Sequence, residues 1–174
     1  DLAADLASRW PAEADLKALK RATMIAAGRM VELEAWLRAD AAAAPDDPAA
    51  AEALADHLLS QGRRDEAAQT LTGFANAHPV ARGVRVRLAQ VLTWSGKIDE
   101  ARAVYATLGR DARGGAADRA WREAWLGISR PVDDLTADGL GNLRALVAIA
   151  PDQLGWRRRL ADAQVKLGDM TAAL

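Results

Sequence analysis

Glycine and proline recur in this chain at a spacing of 34 residues, at Gly28, Gly62 and Gly96 and at Pro11, Pro45 and Pro79. The same beat resumes at Pro151 and Gly168, 72 residues after Pro79 and Gly96. That is two periods plus four residues, and the insertion falls in the Arg113-Gly114-Gly115 stretch. Glycine and proline are the strongest local punctuation a chain carries, so the spacing predicts one helix–turn–helix unit per period. Such a unit cannot bury its apolar face alone and must stack on its neighbours. The chain reads as a solenoid, and the function to look for is binding.

The two best-marked units carry the periodicity that this requires. Asp47 is placed to cap a helix that opens with Pro48, where a missing N–H costs nothing. Ala51, Leu54, Ala55 and Leu58 follow at the i, i+3, i+4, i+7 spacing of one helical face, and Gly62 ends the helix. A second helix opens with Asp65 and Glu66, acids suited to the positive end of the helix dipole, and buries Ala67, Leu71 and Phe74 before Pro79. The next unit repeats the scheme with Leu88, Ala89 and Leu92, then Ala101, Val104, Tyr105 and Leu108.

Leu54-Ala55, Gly62, Glu66-Ala67 and Pro79, with Leu88-Ala89, Gly96, Glu100-Ala101 and Tyr105, resemble the tetratricopeptide-repeat motif, in which small residues mark the points where the two helices touch. The resemblance is strong over residues 46 to 109. It implies an all-α fold, a right-handed α-solenoid of stacked antiparallel helix pairs, acting as a non-enzymatic protein-binding scaffold. On this frame residues 1–13 are a partial repeat, 14–47, 48–81 and 82–115 are repeats, 120–153 is a degenerate repeat, and 154–174 is a partial one. In 14–47 Lys20-Arg21 occupy the Leu-Ala slot and Leu33 the small-residue slot. In 120–153 Asp134 stands at the turn glycine and Pro131 predicts a shortened first helix. Both ends cut through a hairpin, which predicts a segment of a longer array and end-to-end self-association through Leu2, Leu6 and Trp10 and through Met170, Ala173 and Leu174.

Composition narrows the partner. About a quarter of the chain is alanine, which favours helix and close helix approach. No window reaches the roughly 18 apolar residues of a membrane span, so no direct insertion of this segment is expected. Zero cysteines exclude disulfides and thiolate metal sites. The net charge of −1 hides an asymmetry, −5 over residues 40–79 and +5 over residues 80–130. Either these are solvated helix faces, or the surface is bipolar and orients a partner. A pI near 6.2 argues against nucleic acid.

No catalytic residue, cofactor or metal site is expected. His57 and His78 are 21 residues apart with no ligand pair between them. Gly139-Leu140-Gly141 lacks the preceding strand and the third glycine of a nucleotide loop and reads as a weakened helix. Asp46-Asp47 and Asp133-Asp134 read as helix caps, not as paired acid–base carboxylates.

Binding is expected on the inner face of the first helices, centred on Glu52, Asp56, Val86, Gln90 and Trp121. In chaperone-binding members of the family, cations on those helices clamp a carboxylate. Here the corresponding positions are Ala18 and Ala22, Glu52 and Asp56, Val86 and Gln90, so such a clamp is excluded. Six tryptophans accompany one Phe and one Tyr. Core packing is their first reading, and a sugar-stacking role is the second, with Trp121 and, one turn on, Trp125 facing the groove. The run from Leu88 to Ala101, with Trp94-Ser95-Gly96 followed by Asp99-Glu100-Ala101, resembles repeats in the periplasmic scaffolds of bacterial exopolysaccharide exporters of the Pel, cellulose and poly-N-acetylglucosamine types. That resemblance implies a periplasmic segment of an outer-membrane protein that recruits a polysaccharide-modifying enzyme or guides the polysaccharide itself. The alternatives are a direct carbohydrate-binding module and a generic cytoplasmic adaptor.

Overall fold

The computed structural model describes residues 13–110 and 118–168, and among these every regular element is helical. The order is α1 (Glu13–Ala26), α2 (Met30–Ala43), α3 (Pro48–Ser60), α4 (Arg64–Ala77), α5 (Arg82–Trp94), α6 (Ile98–Arg110), α7 (Arg119–Ile128), a 3₁₀ turn (Asp133–Leu135), α8 (Ala137–Ile149) and α9 (Leu154–Lys166). Each helix packs on the next, α4 joins α3 to α5, and α6 touches both α7 and α8. The result is an α-solenoid whose core runs along the stack instead of closing on itself.

The glycine rhythm is a backbone requirement. Gly28, Gly62, Gly96 and Gly168 have φ of 70°, 73°, 75° and 80°, the only positive values among the described residues. Each follows a first helix, in a left-handed conformation where a side chain would be strained. At Gly62 the turn closes by Arg63 N donating to Leu58 O at 2.9 Å, and at Gly96 by Lys97 N donating to Leu92 O at 2.9 Å.

The caps and core follow the expected frame over α3 to α6. Asp47 accepts from Ala49 N at 2.9 Å, one residue ahead of Pro48. Ala55, Leu58, Ala67, Leu71, Ala89, Ala101 and Leu108 are fully buried. Alanine at 55, 67, 89 and 101 lets paired helices approach closely, so the leucines between them are covered on all sides. Leu33 is equally buried in the slot where Ala67 and Ala101 stand one and two repeats later.

The degenerate unit departs where expected and also where not. α7 is shortened to 10 residues and Pro131 follows it. The chain then crosses from Ser129 to Thr136 through the 3₁₀ turn. Neither Asp133 nor Asp134 caps α8, which corrects the capping expectation: Thr136 does so, its hydroxyl accepting from Gly139 N at 3.0 Å. Thr136 stands directly before α8 in an extended conformation, where its side chain reaches back to the first turn. Gly139 is likewise no weak point in α8. A Cβ there would collide with the Asp133 carbonyl oxygen, so glycine is what allows the 3₁₀ turn to sit against the helix.

Candidate functional site

First helices α3 and α5 carry four of the residues expected to bind, and α7 carries the fifth, Trp121. Glu52, Val86 and Gln90 are half-buried, and Asp56 is exposed. Glu52 and Asp56 stand one turn apart on α3, and Val86 and Gln90 stand one turn apart on α5. Asp56 accepts from the Arg87 guanidinium of α5. The same guanidinium lies 5.2 Å from the centre of the ring of Trp94, which is 51% exposed at the end of α5. An Asp56–Arg87–Trp94 run therefore bridges consecutive first helices, and the aromatic exposed in it is Trp94.

Trp121 does not belong to that surface. It is 2% exposed, which corrects the expectation that it faces a groove. Its indole donates to Asp118 Oδ1 at 3.1 Å, its ring stacks on Trp125 at 6.4 Å, and Arg122 lies 4.5 Å over it. Trp125 is buried as well. The shortened α7 and the displaced connection after it explain the difference, because the regular frame no longer says which face of α7 points inward. Trp36 and Trp156 are partly buried under Lys20 and Arg119, at 4.6 Å and 5.4 Å. Trp10 lies outside the described residues.

Around Trp121 a buried polar cluster joins three helices. Arg82 of α5 pairs with the buried Asp118 carboxylate, and Arg122 donates to Asn142 Oδ1 at 3.1 Å. Burial pulls the Arg122 guanidinium below its ordinary range, against the attraction of Asp118. Asp118, Arg122 and Asn142 are buried and, Arg122 Nε apart, find their partners within the cluster, which makes it a packing device between repeats. Asp118 and Arg122 stand at the i, i+4 spacing of helix neighbours, but nothing in the sequence marks Asn142, 20 positions on, as the partner of Arg122.

Ion pairs between repeats absorb part of the charge asymmetry of the sequence, two of them, Lys97–Asp65 and Arg87–Asp56, joining the acidic stretch to the basic one. Arg63 reaches Glu34 at 2.6 Å, Lys97 reaches Asp65 at 2.7 Å, Arg87 reaches Asp56 and Arg82 reaches Asp118. Arg159 closes on Asp134 at 2.9 Å, and Arg102 donates to Ile128 O at 2.9 Å. Hydrogen bonds from Arg63 and then Arg38 hold the Glu34 carboxyl below the usual carboxylate range. The two histidines serve packing: His57 Nε2 lies buried 3.8 Å from Glu34 Oε2, and His78 Nε2 is 3.1 Å from Pro45 O. Among the described residues no group of three His, Asp or Glu is placed to hold a metal ion.

Residues 27–105 match the family model of the tetratricopeptide repeat. The chain carries the tetratricopeptide likeness over that stretch, 79 of its 174 residues. Its backbone is similar to MamA from Desulfovibrio magneticus RS-1, at a TM-score of 0.56 and 18% identity over 94% of this chain and 90% of that one. It is also similar to a Podosopora anserina protein described as a putative kinesin light chain with nearly identical repeats, at 0.55 and 17% identity over 91% and 89%. A thermophilic tetratricopeptide protein of Thermus thermophilus follows at 0.50 and 17% identity over 83% and 78%. At such identities the likeness concerns the fold. No curated protein sequence matches the chain. The half-buried or exposed Glu52, Asp56, Val86 and Gln90 stand on α3 and α5, while α7 contributes the buried Trp121 and Trp125.

Proposed function

We propose that this array is a non-enzymatic scaffold that docks a protein partner on the inner face of α1, α3 and α5, through Glu52, Asp56, Val86 and Gln90. The observation that carries this reading is the repeat stack itself. Stacked first helices form an extended curved surface, and repeat proteins use such surfaces for recognition. Trp94 joins the set as an exposed aromatic beside Asp56 and Arg87, in place of the buried Trp121. Aromatic side chains with open faces are typical anchors at interfaces. Reversing the charge at both Glu52 and Asp56 is expected to weaken capture of the partner, and unchanged capture would move the site elsewhere.

The narrower setting we propose is exopolysaccharide export, in which the array is a periplasmic segment that recruits a polysaccharide-modifying enzyme. Its support is the resemblance of the Leu88–Ala101 run to exporter repeats. Direct carbohydrate binding loses support, because Trp121 and Trp125 are enclosed, and a cytoplasmic adaptor would use the same inner face. We also propose end-on self-association. Its support is that Leu16 and Leu19 on α1 are 51% and 62% exposed, and that Leu154 and Val165 on α9 are 74% and 48% exposed. The expected contributors Leu2, Leu6, Met170, Ala173 and Leu174 lie outside the described residues. Sedimentation should show association rising with concentration.

A further inference from the structure

The first helix pair departs from the later ones at the two positions where paired helices touch. Arg21 stands one 34-residue period before Ala55 and two before Ala89, and Leu33 stands likewise before Ala67 and Ala101. Those four alanines are fully buried at the contacts of the later pairs. A guanidinium and a leucine do not fit into a contact shaped for two methyl groups, so α1 cannot close on α2 as α3 closes on α4. None of the described side chains of α1 is buried, whereas Leu54, Ala55 and Leu58 of α3 are.

The space left between α1, α2 and α3 is an open cleft of about 530 Å³, walled by Ile25, Met30, Leu33 and Ala53. A second cleft of about 430 Å³, walled by Trp36, Leu37 and Ala50, shares Arg21 and Ala53 with the first, so the two continue one another as a trench. Ile25 is 50% exposed on this wall. An aliphatic side chain entering there would bury apolar surface on both sides.

The acids along the trench are engaged within the chain. Asp40 pairs with Lys17 at 2.9 Å, Asp47 accepts from Ala49 N at 2.9 Å, and Asp56 pairs with Arg87. Arg21 lines both clefts and is half-buried, and its side chain has neither an ion pair nor a hydrogen bond among the described residues. A guanidinium partly withdrawn from water without an acceptor gains from an arriving carboxylate, which its planar fork can meet with two parallel hydrogen bonds. An arriving ammonium would instead meet Arg21 with like charge and acids already engaged.

We infer that the splayed first pair takes an extended segment of a protein partner, with a glutamate or aspartate side chain on Arg21 and an aliphatic side chain beside it against Ile25 and Met30. The slot of Arg21 is not one of the clamp positions, which here hold Ala18 and Ala22. Glu52, Val86 and Gln90 line neither cleft, so the site lies beside the inner-face set and does not depend on it.

Three end-blocked synthetic peptides test this, repeating Glu-Leu-Ala, Gln-Leu-Ala and Lys-Leu-Ala, each titrated into the isotope-labelled chain while backbone amide shifts are followed. The acidic peptide is expected to move the amides of Arg21 and Ile25 on α1 and of Ala49 and Ala53 on α3. It should bind about fivefold more tightly than the uncharged one, the size of a partly exposed ion pair, and the basic peptide should bind least. Arg21→Gln should abolish the preference for the acidic peptide and leave the uncharged one unchanged. Ala53→Trp, which fills the trench from a half-buried position, should weaken both. Equal binding of the acidic and basic peptides, a preference that survives in Arg21→Gln, or no shifts in α1 and α3 overturns the assignment. Crosslinking from Gln90 reports on the inner-face set alone, so either reading can fail without the other.

Discussion

Arg122 and Asn142 exchange two hydrogen bonds across the α7–α8 interface, Arg122 Nη1 donating to Asn142 Oδ1 at 3.1 Å and Asn142 Nδ2 donating to Arg122 O at 3.2 Å. Both side chains are buried, so neither can turn to water if its partner is removed. Asn142→Leu is expected to cost about 1 to 3 kcal/mol in chemical denaturation, the penalty of an unsatisfied buried donor. Adding Arg122→Met should cost less than the sum of the two single changes, because an apolar pair leaves nothing unsatisfied. Strict additivity would show that the two residues act independently.

Ala67 and Ala101 are both fully buried where paired helices touch. Replacing either with Leu forces extra atoms into a filled contact, and about 1 to 3 kcal/mol of stability should be lost in thermal or urea melts. Leu33 fills the equivalent slot in the first described pair, so α1 and α2 must sit differently there. A converse change, Leu33→Ala, should cost about 2 to 5 kcal/mol through the cavity it leaves. If both alanine-to-leucine variants melt like the parent chain, the repeat register is wrong.

Trp121 is enclosed, so intrinsic fluorescence should not shift when soluble oligosaccharides are added. Trp121→Ala should instead lower stability by about 3 to 5 kcal/mol and release the Asp118 carboxylate from its indole donor. A saturable fluorescence change that vanishes in Trp121→Ala would restore the sugar-stacking role. Trp94, the exposed tryptophan among the described residues, is the control: Trp94→Ala should leave the melt nearly unchanged.

Stability should fall at both ends of the pH scale, for different residues. Hydrogen bonds from Arg63 and Arg38 hold Glu34 below its ordinary value of 4.5, and a bond from Arg63 does the same for Glu66. A lowered folded-state value means that this contribution is present above pH 4.5 and is lost as pH falls through the folded value. Burial raises the Tyr105 phenol above its ordinary value of 10.0, against a hydrogen bond with Thr93. Its contribution is present below pH 10.0 and is lost as pH rises through the raised value. Urea midpoints measured across pH should show both limbs, and Tyr105→Phe should flatten the alkaline one. An alkaline limb that persists unchanged in that variant would assign it to another group.

The parts of the molecule legible in the sequence are those set by local backbone rules. Gly62 and Gly96 announce left-handed turns, Asp47-Pro48 announces a helix start, and Ala67 and Ala101 announce close contacts. Each is a property of a few adjacent residues repeated at a fixed period. The 3₁₀ turn, the seating of Gly139 on Asp133 and the burial of Trp121 were not legible. They follow from where α7 ends and how the chain crosses to α8, after the period has been broken. The partners of Asp134 and Asp56 were hidden for a related reason: Arg159 and Arg87 are 25 and 31 positions away, and an ion pair between helices leaves no periodic mark.

Site-specific photo-crosslinking tests the inner-face account most directly, with the reactive group placed in turn at Gln90 on α5 and at the exposed Gln69 on α4. One defined protein adduct is expected from Gln90, lost when Glu52 and Asp56 are both reversed in charge, and none from Gln69. Capture from Gln69 alone, or an adduct at Gln90 indifferent to the charge reversal, would contradict it.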